Sequence, residues 1–313
     1  MLKIKVFSSL VICFLAVVVI GCLPSNDNNS AKNTKSLPVI TNAQISGWVV
    51  YSNLVNHEPL EQIFLRELDT GDVRQLTFSG DNSFPKWSPD GSQIIFVSHT
   101  KENSHDIYIM NKDGSNQRPL IATTADESFP DWSPDGTKIV FTSNQDGDEQ
   151  VYIMELVSKK ITKLTSAPIL LASLPTWSSN GKRIAFQASL PDEAMRSQIF
   201  IMNADGTNLA QITSYGVDIF DGQPVWCPDD TCIIFSRGFT PKLMVIDLAT
   251  KTVEPLFKDI FEVTSMQTSV KRSPSSNFLT FVVDREFYAM DMIHKEIYPL
   301  NVVDVLCLSL NPQ

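Results

Sequence analysis

Trp87-Ser88-Pro89-Asp90-Gly91 recurs as Trp132-Ser133-Pro134-Asp135-Gly136, and in altered form as Trp177-Ser178-Ser179-Asn180-Gly181 and Trp226-Cys227-Pro228-Asp229-Asp230. A worn copy is Arg272-Ser273-Pro274-Ser275-Ser276. Nine residues after the tryptophan position stands an aromatic: Phe96, Phe141, Phe186, Phe235 and Phe281, with Tyr51 one repeat earlier. A third motif follows as Ile107-Tyr108-Ile109-Met110, Val151-Tyr152-Ile153-Met154 and Ile199-Phe200-Ile201-Met202. Its other copies are Ile63-Phe64-Leu65, Leu243-Met244-Val245-Ile246 and Phe287-Tyr288-Ala289-Met290. Six copies at a spacing near 45 residues are the mark of a repeat architecture in which each unit needs its neighbours to bury a core.

Each unit reads as four short strands rich in β-branched and aromatic residues, bounded by turn residues. In one unit these are A (Phe84–Trp87), B (Gln93–Ser98), C (Asp106–Met110) and D (Gln117–Ile121). Ser-Pro-Asp-Gly suits the A–B turn, because Pro presets φ, Asp bonds nearby backbone and Gly accepts a positive φ. Asn111-Lys112-Asp113-Gly114 and Asn203-Ala204-Asp205-Gly206 do the same between C and D. Both turn types are structural, and Trp87, Trp132, Trp177 and Trp226 are expected to pack between neighbouring units. Residues 304–312 read as an A strand with no successor, while Ile45–Ser52 reads as a B strand with no predecessor. The two complete one unit and remove the open edge of the ring. The expectation is an all-β, six-bladed β-propeller over residues 44–313, its C-terminal strand completing the N-terminal blade.

The repeat resembles those of the TolB β-propeller family and of the prolyl oligopeptidase propellers, a WD40-like Trp-Ser-Pro-Asp-Gly pattern. TolB carries an α/β domain before its propeller, where this sequence has a linker, and prolyl oligopeptidases add a hydrolase domain. The resemblance implies a cell-envelope role through binding another protein.

The N-terminal residues read as an address. Lys3 and Lys5 precede the apolar run Val6–Gly21, about 16 residues and short of the roughly 20 that span a bilayer. Val19-Ile20-Gly21-Cys22 resembles a bacterial lipobox, which makes residues 1–21 a signal peptide and Cys22 the lipid acceptor. Polar residues from Ser25 to Ser30 begin a flexible tether over 22–43. The expected location is exported, anchored to a membrane by lipid alone, periplasmic or at the cell surface. Cys227 and Cys232 flank an A–B turn and can be bridged in an oxidising compartment.

Formal charge is −10, and no Lys/Arg cluster appears, which excludes a nucleic-acid partner. No Gly-x-Ser-x-Gly, His-Glu-x-x-His or phosphate-cradling glycine loop is present, so no catalytic residue is assigned and an enzyme is not expected. His57, His99, His105 and His294 fall in loops or loop edges; His99, His105 and Asp106 form the nearest thing to a metal set, and they read as solvated. No cofactor is expected.

In a propeller the D–A and B–C loops share one face, around the channel mouth. The candidate binding face is therefore Asp81, Asn82, Asp126, Glu127, Asp221 and Asp304, at the starts of the A strands, beside Asp146, Asp148 and Glu149. Such a rim would attract a basic segment of an envelope protein or peptide, or a cation. Two further readings stand beside it: a carbohydrate-active or hydrolytic propeller using the rim carboxylates, and a structural propeller stabilised by calcium.

Overall fold

A computed structural model describes residues 47–55, 60–101, 104–191, 196–214, 220–238, 242–257, 271–272, 278–283, 286–292, 296–303 and 307–310. Residues 1–43, read above as a signal peptide and a tether starting at Cys22, lie outside the described residues, as do His57, His294 and Asp304.

Blade 1 begins with β1 (Trp48–Leu54), β2 (Glu61–Glu67) and β3 (Val73–Gln75). Blade 2 is β4 (Asp81–Trp87), β5 (Gln93–Lys101), β6 (Ser104–Asn111) and β7 (Arg118–Ile121). Blade 3 is β8 (Glu127–Trp132), β9 (Lys138–Ser143), β10 (Gln150–Glu155) and β11 (Ile161–Lys163). Blade 4 is β12 (Leu171–Trp177), β13 (Arg183–Ser189), β14 (Gln198–Asn203) and β15 (Ala210–Gln211). Blade 5 is β16 (Asp221–Trp226), β17 (Cys232–Arg237), β18 (Lys242–Asp247) and β19 (Val253–Pro255). Blade 6 is β20 (Lys271–Arg272), β21 (Phe278–Val283), β22 (Glu286–Asp291) and β23 (Ile297–Val303). The last strand, β24 (Cys307–Leu310), leaves the sequence order and pairs with β1, Val49 opposite Leu310 and Ser52 opposite Cys307. The result is six four-stranded antiparallel sheets. The inner strands β24, β4, β8, β12, β16 and β20 each touch the next, which closes the ring around an axis.

Each of the four repeat tryptophans fills a junction between blades. Trp87 packs with Ile63, Leu65 and Leu76 of blade 1 and Ile94 and Phe96 of its own blade. Trp132 meets Ile107, Ile109 and Ile121; Trp177 meets Val140, Val151 and Ile153; Trp226 meets Ala185 and Ile199. Stacking blade on blade in this way supplies the core that no single sheet could bury alone.

The A–B turns behave as turn chemistry requires. Asp90 accepts hydrogen bonds from Ser88 Oγ at 2.6 Å and Ser92 N at 3.1 Å, and Gly91 adopts φ +67°. Asp135 repeats this with Ser133 and Thr137. Two departures from the repeat explain each other. Blade 4 has Ser179 where blades 3 and 5 have Pro, and blade 5 has Asp230 where blades 2 to 4 have Gly. Asp230 accepts from Ser179 N at 2.7 Å and Asn180 N at 2.9 Å, and its carbonyl accepts from Arg183 Nη2 at 2.8 Å. Proline at 179 would have no N–H to give, and glycine at 230 no carboxylate to receive one. Asp230→Gly is therefore expected to cost about 1–2 kcal/mol, the lost bonds being partly offset because Gly relieves φ +58° at this site. Adding Ser179→Pro to Asp230→Gly should cost little more, while Ser179→Pro alone should destabilise. A double-mutant cycle on denaturant midpoints checks this, and additive effects would contradict it.

The turn carrying Asp230 is held from both sides. Cys227 and Cys232 form a disulfide across it, their Cα atoms 5.2 Å apart.

The inner strands run further than Phe84–Trp87 and its counterparts. In blades 2 to 5 the pairing slips and then resumes across a bulge, between Ser83 and Lys86, Ser128 and Asp131, Ser173 and Thr176, Gly222 and Val225. At each bulge the residue before proline takes a positive φ: Phe84 52°, Phe129 50°, Leu174 53°, Gln223 53°. Proline cannot join the ladder, and the bulge lets the strand pass it. Just beyond, Lys86 Nζ lies 3.1 Å from Asp131 Oδ1 in the next blade. Asp131 Oδ2 in turn accepts from Thr176 Oγ1 and Trp177 N of the blade after, each at 3.1 Å. One carboxylate thus ties three inner strands together.

Candidate functional site

The D–A and B–C loops gather on one face of the ring, and the A–B and C–D turns on the other. The predicted acidic rim divides into two sets there, because successive residues of a strand point to opposite sides. Asp81 and Asp126 stand at the edge. Asp81 Oδ1 accepts from Glu61 N at 2.7 Å. Asp126, its side chain 41% exposed, accepts from His105 N and lies 3.0 Å from His105 Nδ1. Asn144 Nδ2 also donates to it, at 3.2 Å. Burial opposes the charge on Asp126, but the His105 and Asn144 contacts outweigh it and hold the carboxyl below its usual range.

Asn82, Glu127 and Asp221 are a correction to the sequence reading. They are 2%, 0% and 0% exposed and face the interior, so they are not part of an open surface. Asn82 Nδ2 donates to Gln62 Oε1 at 3.1 Å and to Ser79 O at 2.8 Å. Glu127 accepts from the hydroxyls of Thr123 and Ser143. Asp221 receives Arg237 Nε at 2.9 Å and Nη2 at 3.2 Å. In blade 4 the same two positions are Ala172 and Ala188, both buried, so these positions serve packing within the fold. Asp304 lies outside the described residues.

Asp146 is exposed but engaged, accepting from Tyr152 OH at 2.8 Å and pairing with Lys163 at 3.2 Å. Glu149 is pushed up by burial and by the charge of Asp126. His99 and His105 stack with ring centroids 4.9 Å apart. Among the described residues no group of three or more His, Cys, Asp and Glu side chains is placed to hold a metal ion.

What the sequence reading missed is apolar. Phe78, in the D–A loop between blades 1 and 2, is 77% exposed, and Leu54 and Leu60, on the adjoining B–C loop, are each 45% exposed. The two loops are tied together: Glu61 N donates to Asp81, Gln62 Nε2 to Gly80 O, and Ile63 N to Thr77 Oγ1. The loop that carries Phe78 is therefore fastened on both sides of it, at Thr77 and at Gly80 and Asp81. Deeper, at the bulges, Phe84 and Phe129 meet edge to face across the blade 2–3 junction, centroids 4.8 Å apart. A single Phe in Leu76-Thr77-Phe78-Ser79-Gly80 carries no periodicity, so only its exposure in the folded chain marks it.

The chain reaches the propeller on the opposite face. Gly47 precedes β1 and is fastened to the C–D turn of blade 1, its N–H donating to Asp69 Oδ2 at 3.1 Å and its carbonyl accepting from Leu68 N at 2.8 Å.

Comparison with known proteins agrees with this architecture. Residues 44–271 match the family model described as the TolB beta propeller domain. Among solved structures, TolB from Acinetobacter baumannii superposes with a TM-score of 0.68 at 18% identity, over 87% of this chain and 68% of that one. A putative TolB from Agrobacterium tumefaciens gives 0.54 at 20% identity, over 67% of this chain and 80% of that one. An oligogalacturonate lyase in complex with manganese gives 0.56 at 14% identity, over 80% and 73%. No curated protein matches the chain. At these identities the solved structures bear on the fold alone. With a six-bladed closed ring, the repeated turns and a family match over most of its length, the chain belongs to the TolB β-propeller domain family.

Proposed function

We propose that this protein is an exported, lipid-anchored propeller that docks another envelope protein on its loop face and performs no chemistry of its own. The observation that carries the reading is Phe78, 77% exposed in the D–A loop that bonds to the start of β2 on the loop face. A large aromatic side chain left exposed on a loop face is the residue type that anchors protein interfaces. The net charge of −10 would steer a basic partner toward it.

The place where the chain joins the fold supports the same reading. The described chain enters the propeller at Gly47 on the turn face, which keeps its point of attachment away from the loop face. A hydrolytic function would need accessible paired carboxylates, and Glu127 and Asp221 are buried.

The test is an affinity pull-down from native membranes with the full chain, comparing wild type with Phe78→Ser and with Asp81→Asn. Retention of a protein partner should fall about tenfold or more for Phe78→Ser and less for Asp81→Asn. Equal retention by a folded Phe78→Ser variant would remove the reading.

A further inference from the structure

The A–B turns of blades 2 to 5 each carry an internal strap, and in one of them the strap is covalent. Ser88 Oγ accepts from Gln93 N, Ser133 Oγ from Lys138 N and Ser178 Oγ from Arg183 N, each at 2.9 Å. Blade 5 has cysteine at both places, Cys227 for the serine and Cys232 five residues on. Their disulfide joins the two residues that a hydroxyl joins in the other three turns, with Cα atoms 5.2 Å apart. The same turn differs at a third place. Gly91, Gly136 and Gly181 take φ +67°, +70° and +69° with no Cβ to resist it. Asp230 takes φ +58° with a side chain, in a region that disfavours every residue but glycine.

This turn reaches both neighbouring blades. Toward blade 4, the Asp230 carboxylate takes Ser179 N and Asn180 N, and its carbonyl takes Arg183 Nη2. The Arg183 guanidinium in turn lies 4.5 Å from the centre of the Trp226 ring, the wedge of that junction. Toward blade 6, Cys227 is 3% exposed and packs with Leu279, Met290 and Ile297. Cys232 is only partly buried. The equivalent contacts between earlier turns are apolar: a Cβ on Gly136 would lie 3.8 Å from Pro89, and one on Gly181 3.6 Å from Pro134. Only the blade 4–5 contact therefore combines a charged, strained residue with a strap that chemistry can open.

We propose that the Cys227–Cys232 disulfide is a redox-controlled clamp: oxidised, it holds Asp230 on blade 4, and reduction by a dithiol releases the turn and uncouples the two blades on that face. One thiolate of the dithiol attacks Cys232 Sγ, the S–S bond breaks, and Cys227 leaves as a thiolate that takes a proton from solvent. The second thiol of the dithiol then attacks the mixed disulfide and frees Cys232. Two electrons, and two protons by way of solvent, have passed to the cysteine pair, and the dithiol has become a disulfide. The reduced turn keeps its backbone bonds, Cys227 N to Cys232 O at 2.9 Å and Asp230 N to Cys227 O at 3.0 Å. It has neither the covalent strap nor the serine hydroxyl of its counterparts, so Asp230 is free to leave the left-handed region and let go of blade 4. The clamp acts on the turn face and does not depend on a partner docked at Phe78.

In the full chain, mass spectrometry without reductant should find Cys227 joined to Cys232. Amide exchange at Ser179 and Asn180 should then be compared with and without dithiothreitol. Reduction is expected to quicken both amides about tenfold or more, while the blade 3 turn, residues 133–138, is unchanged. In Cys227→Ser/Cys232→Lys, which rebuilds the hydroxyl strap of the blade 3 turn, the two amides should stay slow and be indifferent to dithiothreitol. In Asp230→Gly they should be fast in both conditions. Unchanged exchange at 179 and 180 in wild type whose thiols alkylation shows to be free would overturn the clamp. So would free thiols at 227 and 232 in the untreated chain, or an equal quickening at 133–138.

Discussion

Asp221→Ala should destabilise the fold by about 3–5 kcal/mol, more than the loss of any exposed acid. The carboxylate is fully buried and takes two bonds from the guanidinium of Arg237, whose side chain is 20% exposed. Removing the acid leaves a cation in a place built for a pair, and that penalty dominates the loss. The adjoining blade shows how the penalty can be removed. Ala172 and Ala188 stand where blade 5 has Asp221 and Arg237, and both are buried. Asp221→Ala/Arg237→Ala should therefore recover part of the stability lost by Asp221→Ala alone. The recovery will be incomplete, because the guanidinium also lies 5.1 Å from the centre of the Phe235 ring. Urea midpoints of Asp221→Ala, Arg237→Ala and the double variant decide this: a double variant as unstable as the sum of its singles would show that the pair is not the reason for the cost.

Trp87→Ala should cost about 3–5 kcal/mol, or a Tm loss on the order of 10 °C. Trp87 is 2% exposed and is the wedge between Ile63, Leu65 and Leu76 on one side and Ile94, Phe96 and Met110 on the other. Truncation opens a cavity between two sheets that are otherwise rigidly paired, so neighbours cannot collapse into it. Phenylalanine separates the volume from the indole N–H. Trp87 Nε1 is buried with no hydrogen-bond partner among the described residues, whereas Trp226 Nε1 donates to Thr176 O at 3.2 Å. Trp226→Phe should thus cost about 1 kcal/mol more than Trp87→Phe, the worth of that bond. Equal costs in calorimetry would contradict the assignment of a role to the Trp226 bond.

The repeat was legible because its chemistry is local. Ser-Pro-Asp-Gly states a turn through the φ of proline and the short reach of aspartate, and the hydrogen bonds of Asp90 and Asp135 stay within the turn. The clasp was legible because an unmatched A strand and an unmatched B strand imply each other, and β24 pairs with β1. The inner strand of blade 2 reads from Phe84, whereas it begins at Asp81 and so passes Pro85, which cannot join the ladder. The chain instead absorbs it by turning Phe84 to φ 52°, a choice that the ring imposes and no local preference announces.

The site was harder to read for a related reason. Polar residues at strand starts look like a rim, yet Glu127 and Asp221 sit between blades, so both sides of their strands are covered. Exposure there follows from the neighbouring blade, which a single stretch of sequence does not contain. Cys227 and Cys232 lay within reading distance because five positions and one turn bring them together. Phe78 did not, because an apolar residue left in solvent is visible only once the rest of the core has been filled.

The most direct test of the docking face is site-specific photocrosslinking in whole cells. A photoreactive residue would replace Phe78 on the loop face or Val157 on the turn face, the latter 96% exposed and so equally accessible. A discrete adduct with one protein from position 78, absent from position 157, is the predicted result. An adduct from position 157 alone, or the same adducts from both, would contradict a partner docked on the loop face.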